Sequence, residues 1–454
     1  MASKKTIGIC HYRIGGTDGV SLVIFKRKRA LEEMGYRVVL IAGSRESVAD
    51  YNIPLLEFDR KDIIKIKENA FFNFRDYVSE KDLLAEIERV AAMIKKEFLK
   101  IHKREKFDYL FFHNIFSHGR HISAAKACCE FVRENNIKSF AVDHDFYFAG
   151  SYTDIYKPQT LLLKKYLKKY VPPRDDFIRH IVINSINQKI LAEKTGLRSD
   201  ILTDMFDFKQ AEWKKDRYNA EMLRDFGIKD NDIVVLQATR IVRRKGIELA
   251  IDFVAELEKM KKRLIGQTLY NGKQITKKSK IVFVLAGYIE ASDREYGKAL
   301  RKKIKEAGIS AKFVGSRIGR CRAKKDGQKI YSLWDAYARA DLVTFPSIWE
   351  GWGNQFIEAV FAKKPVLVFE YPVFKADIKK EGYKVISLGS SLAKNDKNGL
   401  HRVSKNKIAE ASEEAIKWLT DKNLKKTLER NFKIGRKFHN RQIIKDFFAQ
   451  KLKL

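Results

Sequence analysis

A strand, a glycine-containing turn, a helix and a second strand follow one another closely in the last third of the chain. Two short apolar runs typical of buried strands flank the turn and the helix. About thirty residues is the length of one βαβ unit, whose strands lie parallel in one sheet. The pattern therefore predicts an α/β fold. The predicted elements are a strand at 341–345, a turn at 346–355, a helix at 356–362 and a strand at 366–369.

This turn combines acidic residues with glycines at a position where α/β sheets bind ligands. Glu350 lies in the turn and Glu358 in the following helical segment, while Gly351 and Gly353 allow close backbone approach. Ligands of open α/β sheets bind beyond the carboxyl ends of the strands, and a helix start favours an anion there. The turn therefore suits a ligand with phosphate and hydroxyl groups. It is equally compatible with two solvated glutamates.

The alternation of strands and helices occurs in both halves of the chain. The first half begins with a strand at 6–10, a loop containing Gly15 and Gly16, and a helix at 20–34. We expect two doubly wound halves whose strand-end loops face a shared cleft. The predicted domains are 1–204, a linker at 205–231, 232–421, and a helical segment at 422–454 that packs back on the body. The other predicted strands are 37–42, 109–112, 140–142, 181–183, 233–238, 281–286 and 312–314.

The chain is strongly basic, with 91 Lys and Arg against 57 Asp and Glu among its 454 residues. This excess favours acidic partners such as nucleic acid, anionic membrane or phosphorylated metabolites. Segment 259–280 contains eight basic residues and no acidic one, and we expect it to project as an inserted loop or hairpin. Segment 317–329 is a second basic loop. A basic stripe with interleaved aromatic residues is absent from the sequence, so nucleic acid is not the expected partner.

The sequence also bears on where the protein is found in the cell. No run of 18 uncharged apolar residues occurs, and the chain enters its first strand directly, which predicts neither a membrane span nor a signal peptide. The four cysteines match no disulfide framework or zinc spacing. We therefore expect a cytoplasmic protein, and peripheral contact with the anionic inner face of the membrane is an alternative that the basic segments leave open.

Several motifs in this order resemble the retaining GT-B glycosyltransferases of family 4. The resemblance covers nearly the whole chain and implies two Rossmann-like domains facing a cleft, with a C-terminal helix packing back. The motifs are DLVTFPS at 341–347, EGWG at 350–353 with Glu358, ATR at 238–240 with Lys245 and Gly246, the Gly15–Gly16 loop, and Asp143 with His144.

The resemblance implies transfer of a hexose from a UDP- or GDP-linked nucleotide sugar to an acceptor hydroxyl, with retention and without a metal or a cofactor. Arg240 and Lys245 would bind the diphosphate, Glu358 the ribose and Glu350 the sugar. His144 would bind the sugar's 6-hydroxyl, so the expected catalytic residues are His144, Glu350, Arg240 and Lys245. The implied donor-binding residues are Gly15, Gly16, Arg240, Lys245, Glu350, Gly351, Trp352, Gly353, Asn354, Gln355 and Glu358.

The acceptor is less constrained by these motifs. His113, Asn114, Arg120 and His121 are candidate acceptor-binding residues, and ordinary packing roles stay open for them. The acceptor is either a surface or lipid-linked glycan or a small anionic glycoside. The histidines between 113 and 144, with Asp143 and Asp145 nearby, match no standard metal spacing, so no metal site is predicted. Two alternatives are a nucleic-acid-binding protein and a sugar-nucleotide epimerase on the same scaffold.

Overall fold

The structure, a computed structural model, describes residues 4–15, 19–44, 46–149 and 156–452. Its internal contacts divide the chain into two compact units. Unit 1 comprises residues 1–205 and 441–454, and unit 2 comprises residues 206–440. The chain therefore leaves unit 1, forms unit 2, and returns to unit 1.

Unit 1 is built on seven parallel strands. The strands are β1 (Thr6–His11), β2 (Arg37–Ala42), β3 (Tyr51–Asn52), β4 (Tyr109–His113), β5 (Lys138–Asp143), β6 (Ile178–Val182) and β7 (Ser199–Ile201). Their order is β3-β2-β1-β4-β5-β6-β7. The helices are α1 (Gly19–Glu33), α2 (Lys61–Phe71), α3 (Glu80–Glu105), α4 (Ile122–Glu134), α5 (Leu161–Tyr170), α6 (Ser185–Thr195) and, from the end of the chain, α14 (Arg441–Lys451).

Helices cover both faces of this sheet, which explains why its strands are almost uniformly apolar. α3 begins at a capping box formed by Ser79 and Asp82 and buries one face in a large core. On the opposite face, Phe448 of α14 joins a second core and stacks on Phe111, with ring centroids 5.0 Å apart. The Tyr109 hydroxyl donates to the carbonyl of Leu452 at 2.8 Å, so the end of the described chain is part of this core.

Unit 2 contains a six-stranded parallel sheet and a small three-stranded sheet. The strands are β8 (Ile233–Gln237), β9 (Ile281–Leu285), β10 (Ser310–Phe313), β11 (Ile318–Gly319), β12 (Ala323–Lys325), β13 (Gln328–Ser332), β14 (Leu342–Phe345), β15 (Val366–Val368) and β16 (Ile386–Ser387). The main sheet runs β10-β9-β8-β14-β15-β16. The helices are α7 (Met222–Asp225), α8 (Ile247–Lys259), α9 (Arg294–Ala307), α10 (Leu333–Arg339), α11 (Asn354–Phe361), α12 (Lys405–Thr420) and α13 (Leu424–His439).

Basic segment 259–280 contains a hairpin, as predicted, but the hairpin packs on the sheet and does not project. The segment closes back on itself through a bridge between Thr268 and Gln274 and lies across the amino ends of β8 and β14. Lys273 Nζ donates to Asp341 Oδ2 at 2.5 Å and to the carbonyl of Asp232 at 2.6 Å. The acidic partners come from elsewhere in the sequence, so the charge pattern of the segment alone did not reveal that it packs on the sheet.

The second basic segment, 317–329, also has more structure than predicted. It forms strands β11, β12 and the start of β13 instead of a loop. Arg322 in this segment pairs with Asp216 and Asp335 at 2.6 and 2.5 Å. Both carboxylates lie outside the segment, and they neutralise part of its charge.

The strand order reverses direction once in each main sheet. In unit 1 the chain proceeds outward in opposite directions from β1 and β4, and in unit 2 from β8 and β14. Such switch points leave a crevice beyond the carboxyl ends of the two central strands, where α/β sheets bind ligands. The loops after these strands are therefore the candidate functional regions of each unit.

Candidate functional site

In unit 2, the loops after β8 and β14 are joined by hydrogen bonds and close packing. The amide of Ile348 donates to the carbonyl of Arg244 at 2.9 Å. Gly246 has φ of +56°, and a Cβ there would collide with the carbonyl oxygen of Pro346, so this position requires glycine. Below the loops, the buried Thr344 hydroxyl donates to Gln237 Oε1 at 2.6 Å and ties the two strands together.

These loops bring three predicted donor-site residues, Lys245, Glu350 and Gln355, into one polar cluster. The ammonium of Lys245 forms an ion pair with one carboxylate oxygen of Glu350. Arg244 contacts the other carboxylate oxygen at 2.5 Å and donates to the carbonyl of Trp349 at 3.1 Å. Lys245 also lies 3.5 Å from Gln355 Oε1. Glu350 thus holds two cations while it is almost fully buried.

Burial and charge act together on the pKa values of this pair. Burial lowers the pKa of Lys245 to about 8, and the opposing charge of Glu350 only partly offsets that effect. Burial alone would raise the pKa of Glu350, but Lys245 and Arg244 outweigh it and hold the pKa of this carboxyl below its usual value. The cluster therefore carries a carboxylate and a lysine that releases its proton unusually easily.

Arg240 lies in the same loop and has a separate partner. Its guanidinium forms an ion pair with Glu290, which follows β9, and about a third of each side chain is exposed. Pairs this exposed contribute little to stability. Arg240 can therefore exchange Glu290 for an anionic ligand at little cost in folding free energy.

The start of α11 is shaped by an aromatic neighbour. The Tyr371 hydroxyl donates to the carbonyl of Trp352, and a Cβ on Gly353 would collide with the same hydroxyl oxygen. Trp352 is buried, with its ring edge against His439 at a centroid distance of 5.5 Å. Gly351 and Asn354 flank this corner and are partly exposed.

Glu358 is the fifth residue of α11 and is held from α10. The Tyr337 hydroxyl lies 3.1 Å from Glu358 Oε2 and 3.2 Å from the carbonyl of Gln355. Burial, together with the charge of Glu358, raises the pKa of Tyr337 well above its usual value, so the hydroxyl is a permanent donor. Glu358 is only partly buried, so its carboxylate is orientated and still accessible.

In unit 1, three histidines line the carboxyl ends of β1, β4 and β5. The rings of His113 and His144 stack with centroids 5.5 Å apart, and His113 Nδ1 lies 3.3 Å from His144 Nε2. His11 Nδ1 donates to the carbonyl of His113 at 2.8 Å. Burial, reinforced by the charge of Arg27, lowers the pKa of both His113 and His144 well below the usual value. Both rings are therefore neutral near pH 7.

The backbone of His144 is fixed from two sides. Its amide donates to Asn114 Oδ1 at 2.9 Å, and its carbonyl accepts from Asn187 Nδ2 at 2.8 Å. Asn114 itself adopts a positive φ of 57° at the turn after β4. These contacts orient the predicted catalytic histidine, and they give Asn114 a defined structural task.

His121 and Arg120 occupy different environments. His121 caps α4, since its Nδ1 accepts from the Ala124 amide at 3.1 Å, and its Nε2 donates to the carbonyl of Leu55 at 2.8 Å. Burial lowers the pKa of His121 to about 4, so the ring is neutral. Arg120 lies over the Phe58 ring, 5.3 Å from its centroid. Both nitrogens of His121 are thus used within the fold.

Gly15 lies after β1, next to Val48, and has a φ of +118°. The predicted Gly16 lies outside the described residues.

Among the described residues, no group of three or more His, Cys, Asp or Glu side chains is arranged to hold a metal ion. Within the same residues, no helix is both long and apolar enough to cross a membrane.

Sequence reasoning missed three residues at these switch points. Arg244 is not among the residues predicted for the donor site, but it contacts Glu350. Tyr337 gave no motif signal because it lies on a different element from Glu358. Arg27 could have been noticed in the sequence, because Ile24, Arg27 and Leu31 lie on the same face of α1. An arginine on an otherwise apolar helix face is unusual.

Comparison with known sequences identifies the family. The sequence profile described as Glycosyl transferases group 1 matches residues 219–434. A mannosylglucosylglycerate synthase from Petrotoga mobilis is 41% identical over 416 residues, covering 91% of this chain and 93% of the relative. A mannosylglucosylglycerate synthase from Thermotoga maritima is 33% identical over 451 residues, covering 98% of this chain and 99% of the relative.

Solved structures agree on the fold. A sucrose-phosphate synthase from Thermosynechococcus elongatus aligns with a TM-score of 0.60 at 14% identity, covering 99% of this chain and 98% of that chain. The Anabaena protein Alr3699/HepE, solved in complex with UDP and glucose, aligns with a TM-score of 0.60 at 13% identity, covering 99% and 100%. With its two parallel Rossmann-like sheets, the protein has the GT-B fold, and the chain belongs to the group 1 glycosyl transferases.

Proposed function

We propose that this glycosyltransferase transfers a mannosyl group from a UDP- or GDP-linked mannose to glucosylglycerate, with retention of configuration at the anomeric carbon. The relative that is 41% identical over 91% of the chain, a mannosylglucosylglycerate synthase, carries this proposal. Of the two acceptor classes compatible with the sequence, it favours the small anionic glycoside over a lipid-linked glycan.

The polar cluster of unit 2 supports the donor part of the proposal. In the reaction, the acceptor oxygen bonds to the anomeric carbon, the bond from that carbon to the diphosphate breaks, and the acceptor's proton passes to the departing phosphate on the same face. Negative charge therefore grows on the leaving oxygen. Lys245 and Arg240, with the start of α11, supply fixed positive charge for it, which is the largest single contribution in many enzymes.

The ion pairs imply an exchange of partners when the donor binds. Lys245 would turn from Glu350 to the diphosphate, and Arg244 would remain on Glu350 and keep the buried carboxylate neutralised. Glu350 would then accept hydrogen bonds from sugar hydroxyls, while Glu358, orientated by Tyr337, accepts from the ribose. We propose that these cations serve in place of a metal ion.

The histidines of unit 1 support a role on the sugar side. His144 is neutral, its backbone is fixed and its Nε2 lies against His113 Nδ1, so its Nδ1 is the ring nitrogen left to contact a hydroxyl group. Neutral groups suit a hexose, because a charged imidazolium would favour anions. We propose that His144 contacts the 6-hydroxyl of the transferred sugar.

The test is a transfer assay with purified protein. UDP-mannose, GDP-mannose, UDP-glucose and GDP-glucose are each combined with glucosylglycerate, with glucosylglycerol as the uncharged acceptor and with water alone. We expect transfer from a mannose donor to glucosylglycerate, and an α-linked product by NMR from the α-linked donor. Inversion would contradict the retaining mechanism, and a new sugar nucleotide formed from donor and water alone would favour the epimerase alternative.

Substitutions in the same assay test the residue assignments. Glu358→Gln is expected to raise the KM of the donor, because it weakens the contact to the ribose. Lys364→Met is the matched control, since Lys364 is a second lysine of unit 2 whose pKa burial lowers to about 8, and it donates to the carbonyl of Ala340 at the amino side of the sheet. Equal losses in both variants would contradict the donor site.

A further inference from the structure

Arg27 is a buried cation without a hydrogen-bond partner. It lies on α1 and is fully buried. Across the described part of the chain, its Nε, Nη1 and Nη2 atoms find no acceptor. A guanidinium normally forms several hydrogen bonds when it leaves water, because an uncompensated buried charge is costly. A buried guanidinium without acceptors would therefore be stabilised by binding an anion.

The nearby carboxylate does not satisfy this arginine. Burial lowers the pKa of Arg27 to about 10, and the charge of Asp204 opposes that shift only in part. In the described ranges, neither an ion pair nor a hydrogen bond joins the two side chains. Asp204 thus contributes electrostatic attraction at a distance and leaves all three donor nitrogens of Arg27 available.

Arg27 is close enough to the histidines at the strand ends for its charge to act on them. Side chains on an α-helix lean toward its amino terminus, and the amino terminus of α1 follows the loop after β1. This lean turns the guanidinium toward the end of α1 that adjoins the carboxyl end of β1. The shifted histidine pKa values agree with this placement, since the charge of Arg27 adds to burial in lowering those of both His113 and His144.

His113 supplies a second polar atom without a partner. Its Nδ1 is engaged with His144 Nε2, whereas its own Nε2 is buried and has no hydrogen-bond partner in the described residues. If His144 donates to His113 Nδ1, the hydrogen of His113 lies on Nε2. An anion beside Arg27 selects that tautomer, because it then accepts from both residues.

We propose that Arg27 and His113 Nε2 bind the carboxylate of the acceptor, so that unit 1 selects hydroxy-acid glycosides over uncharged glycosides. This inference rests on the proposed function for the identity of the acceptor. A planar guanidinium matches a carboxylate through two parallel hydrogen bonds.

The experiment compares two acceptors that differ only in the carboxylate. With Arg27→Met, we expect kcat/KM for glucosylglycerate to fall about 10- to 100-fold, the range for a lost hydrogen bond to a charged group. We expect kcat/KM for glucosylglycerol to change less than about twofold, because this acceptor never makes that contact. Loss of the preference for the charged acceptor is thus the result that supports the site.

Thermal stability distinguishes this role from a structural one. Without ligand, Arg27→Met is expected to keep or raise the Tm, since replacing an unpaired buried charge by an apolar side chain is neutral or stabilising. Arg339→Met is the matched control, because Arg339 is a mostly buried arginine that pairs with Asp230 at 2.7 Å, and its removal is expected to lower the Tm.

Several results would overturn the inference. These are an unchanged acceptor preference in an active Arg27→Met variant, or a lowered Tm together with equal losses on both acceptors, which would make Arg27 a structural partner of Asp204. If the wild-type protein transfers to no acceptor, the proposed function fails. Thermal shift with glucosylglycerate then still decides the site, which requires a shift in the wild type that Arg27→Met abolishes.

Discussion

The two switch points have the same topology and differ in how their charged side chains are paired. In unit 2, the buried carboxylate of Glu350 is already paired with Lys245 and Arg244 before any ligand binds. In unit 1, His113 and His144 are neutral and Arg27 lacks a hydrogen-bond partner within the described residues. The same sheet topology therefore places a candidate site in each unit, and the side chains around it decide how far its charges are already paired within the protein.

The difference also separates two ways of preparing a site. In the proposed reaction, Lys245 leaves Glu350 to meet the diphosphate while Arg244 stays on that carboxylate, so donor binding is an exchange of ion pairs. Arg27 in unit 1 has no hydrogen bond to give up within the described residues, so in the proposed site an incoming carboxylate would not have to displace one.

Removing Lys245, the cation proposed to exchange Glu350 for the diphosphate, should have the largest effect on activity. Lys245→Met is expected to lower kcat/KM about 10²- to 10³-fold, as for loss of one group that stabilises the leaving charge. Steady-state kinetics with both substrates varied would show the loss mainly in kcat and donor KM. If Lys364→Met loses as much, the effect reflects removal of any buried lysine of unit 2 and the contrast fails.

The second-largest effect is expected from a substitution at Gly353, just before α11. Gly353→Ala places a methyl group against the Tyr371 hydroxyl and should destabilise unit 2 by about 1–3 kcal/mol through overpacking. Urea unfolding measures the change. Tyr371→Phe combined with Gly353→Ala should recover part of the loss, because the colliding oxygen is then gone. No recovery would assign the strain to another contact.

The pH dependence of the two substrates should differ. Lys245, with its pKa lowered by burial to about 8, loses its proton above that pH, so affinity for a nucleoside diphosphate should fall about tenfold per pH unit there. Acceptor affinity should stay level from pH 7 to 9, since His113 and His144 are already neutral and the pKa of Arg27 is about 10.

Calorimetric titrations at several pH values would measure both dependences. Lys245→Arg provides the control, because a guanidinium stays protonated and should flatten the donor profile. A donor profile that remains unchanged in this variant would exclude Lys245 as the titrating group.

The smallest expected effect concerns the orientation of Glu358. Tyr337→Phe removes the hydroxyl that lies 3.1 Å from the carboxylate and should raise donor KM about fivefold, equivalent to one hydrogen bond of about 1 kcal/mol. kcat should change little. A comparable rise in acceptor KM would mean that the substitution disturbs more than the donor site.

Sequence patterns predicted most of the sheet positions because buried parallel strands are nearly uniform apolar runs. The strand predicted at 37–42 coincides with β2, and the helix predicted at 356–362 begins two residues earlier, at Asn354. Gly353 precedes that helix without a side-chain cap, so no capping residue marked its start. β3, β7 and β16 contain only two or three residues, which is too short for a periodic signal.

The contacts of the site residues were harder to predict from the sequence, because their partners are distant in the chain. Glu350 and Lys245 were each predicted from a motif, but their ion pair joins residues 105 positions apart and depends on β8 and β14 being neighbours. The pairing of Arg244 with Glu350 has the same origin. The predicted helical segment at 422–454 forms two helices, α13 and α14, in different units, since an amphipathic pattern does not say which core it covers.

The return of α14 to unit 1 has a consequence for how the protein is made. Residues 441–452, which bring Phe448 to the core beside Phe111, emerge from the ribosome after all of unit 2. Unit 2 is contiguous and can complete its sheet during translation, whereas residues 1–205 wait with part of their apolar core uncovered. We therefore expect unit 1 to expose apolar core surface until residues 441–452 have been made. In that period, we expect unit 1 to be more open to chaperones and proteases than unit 2.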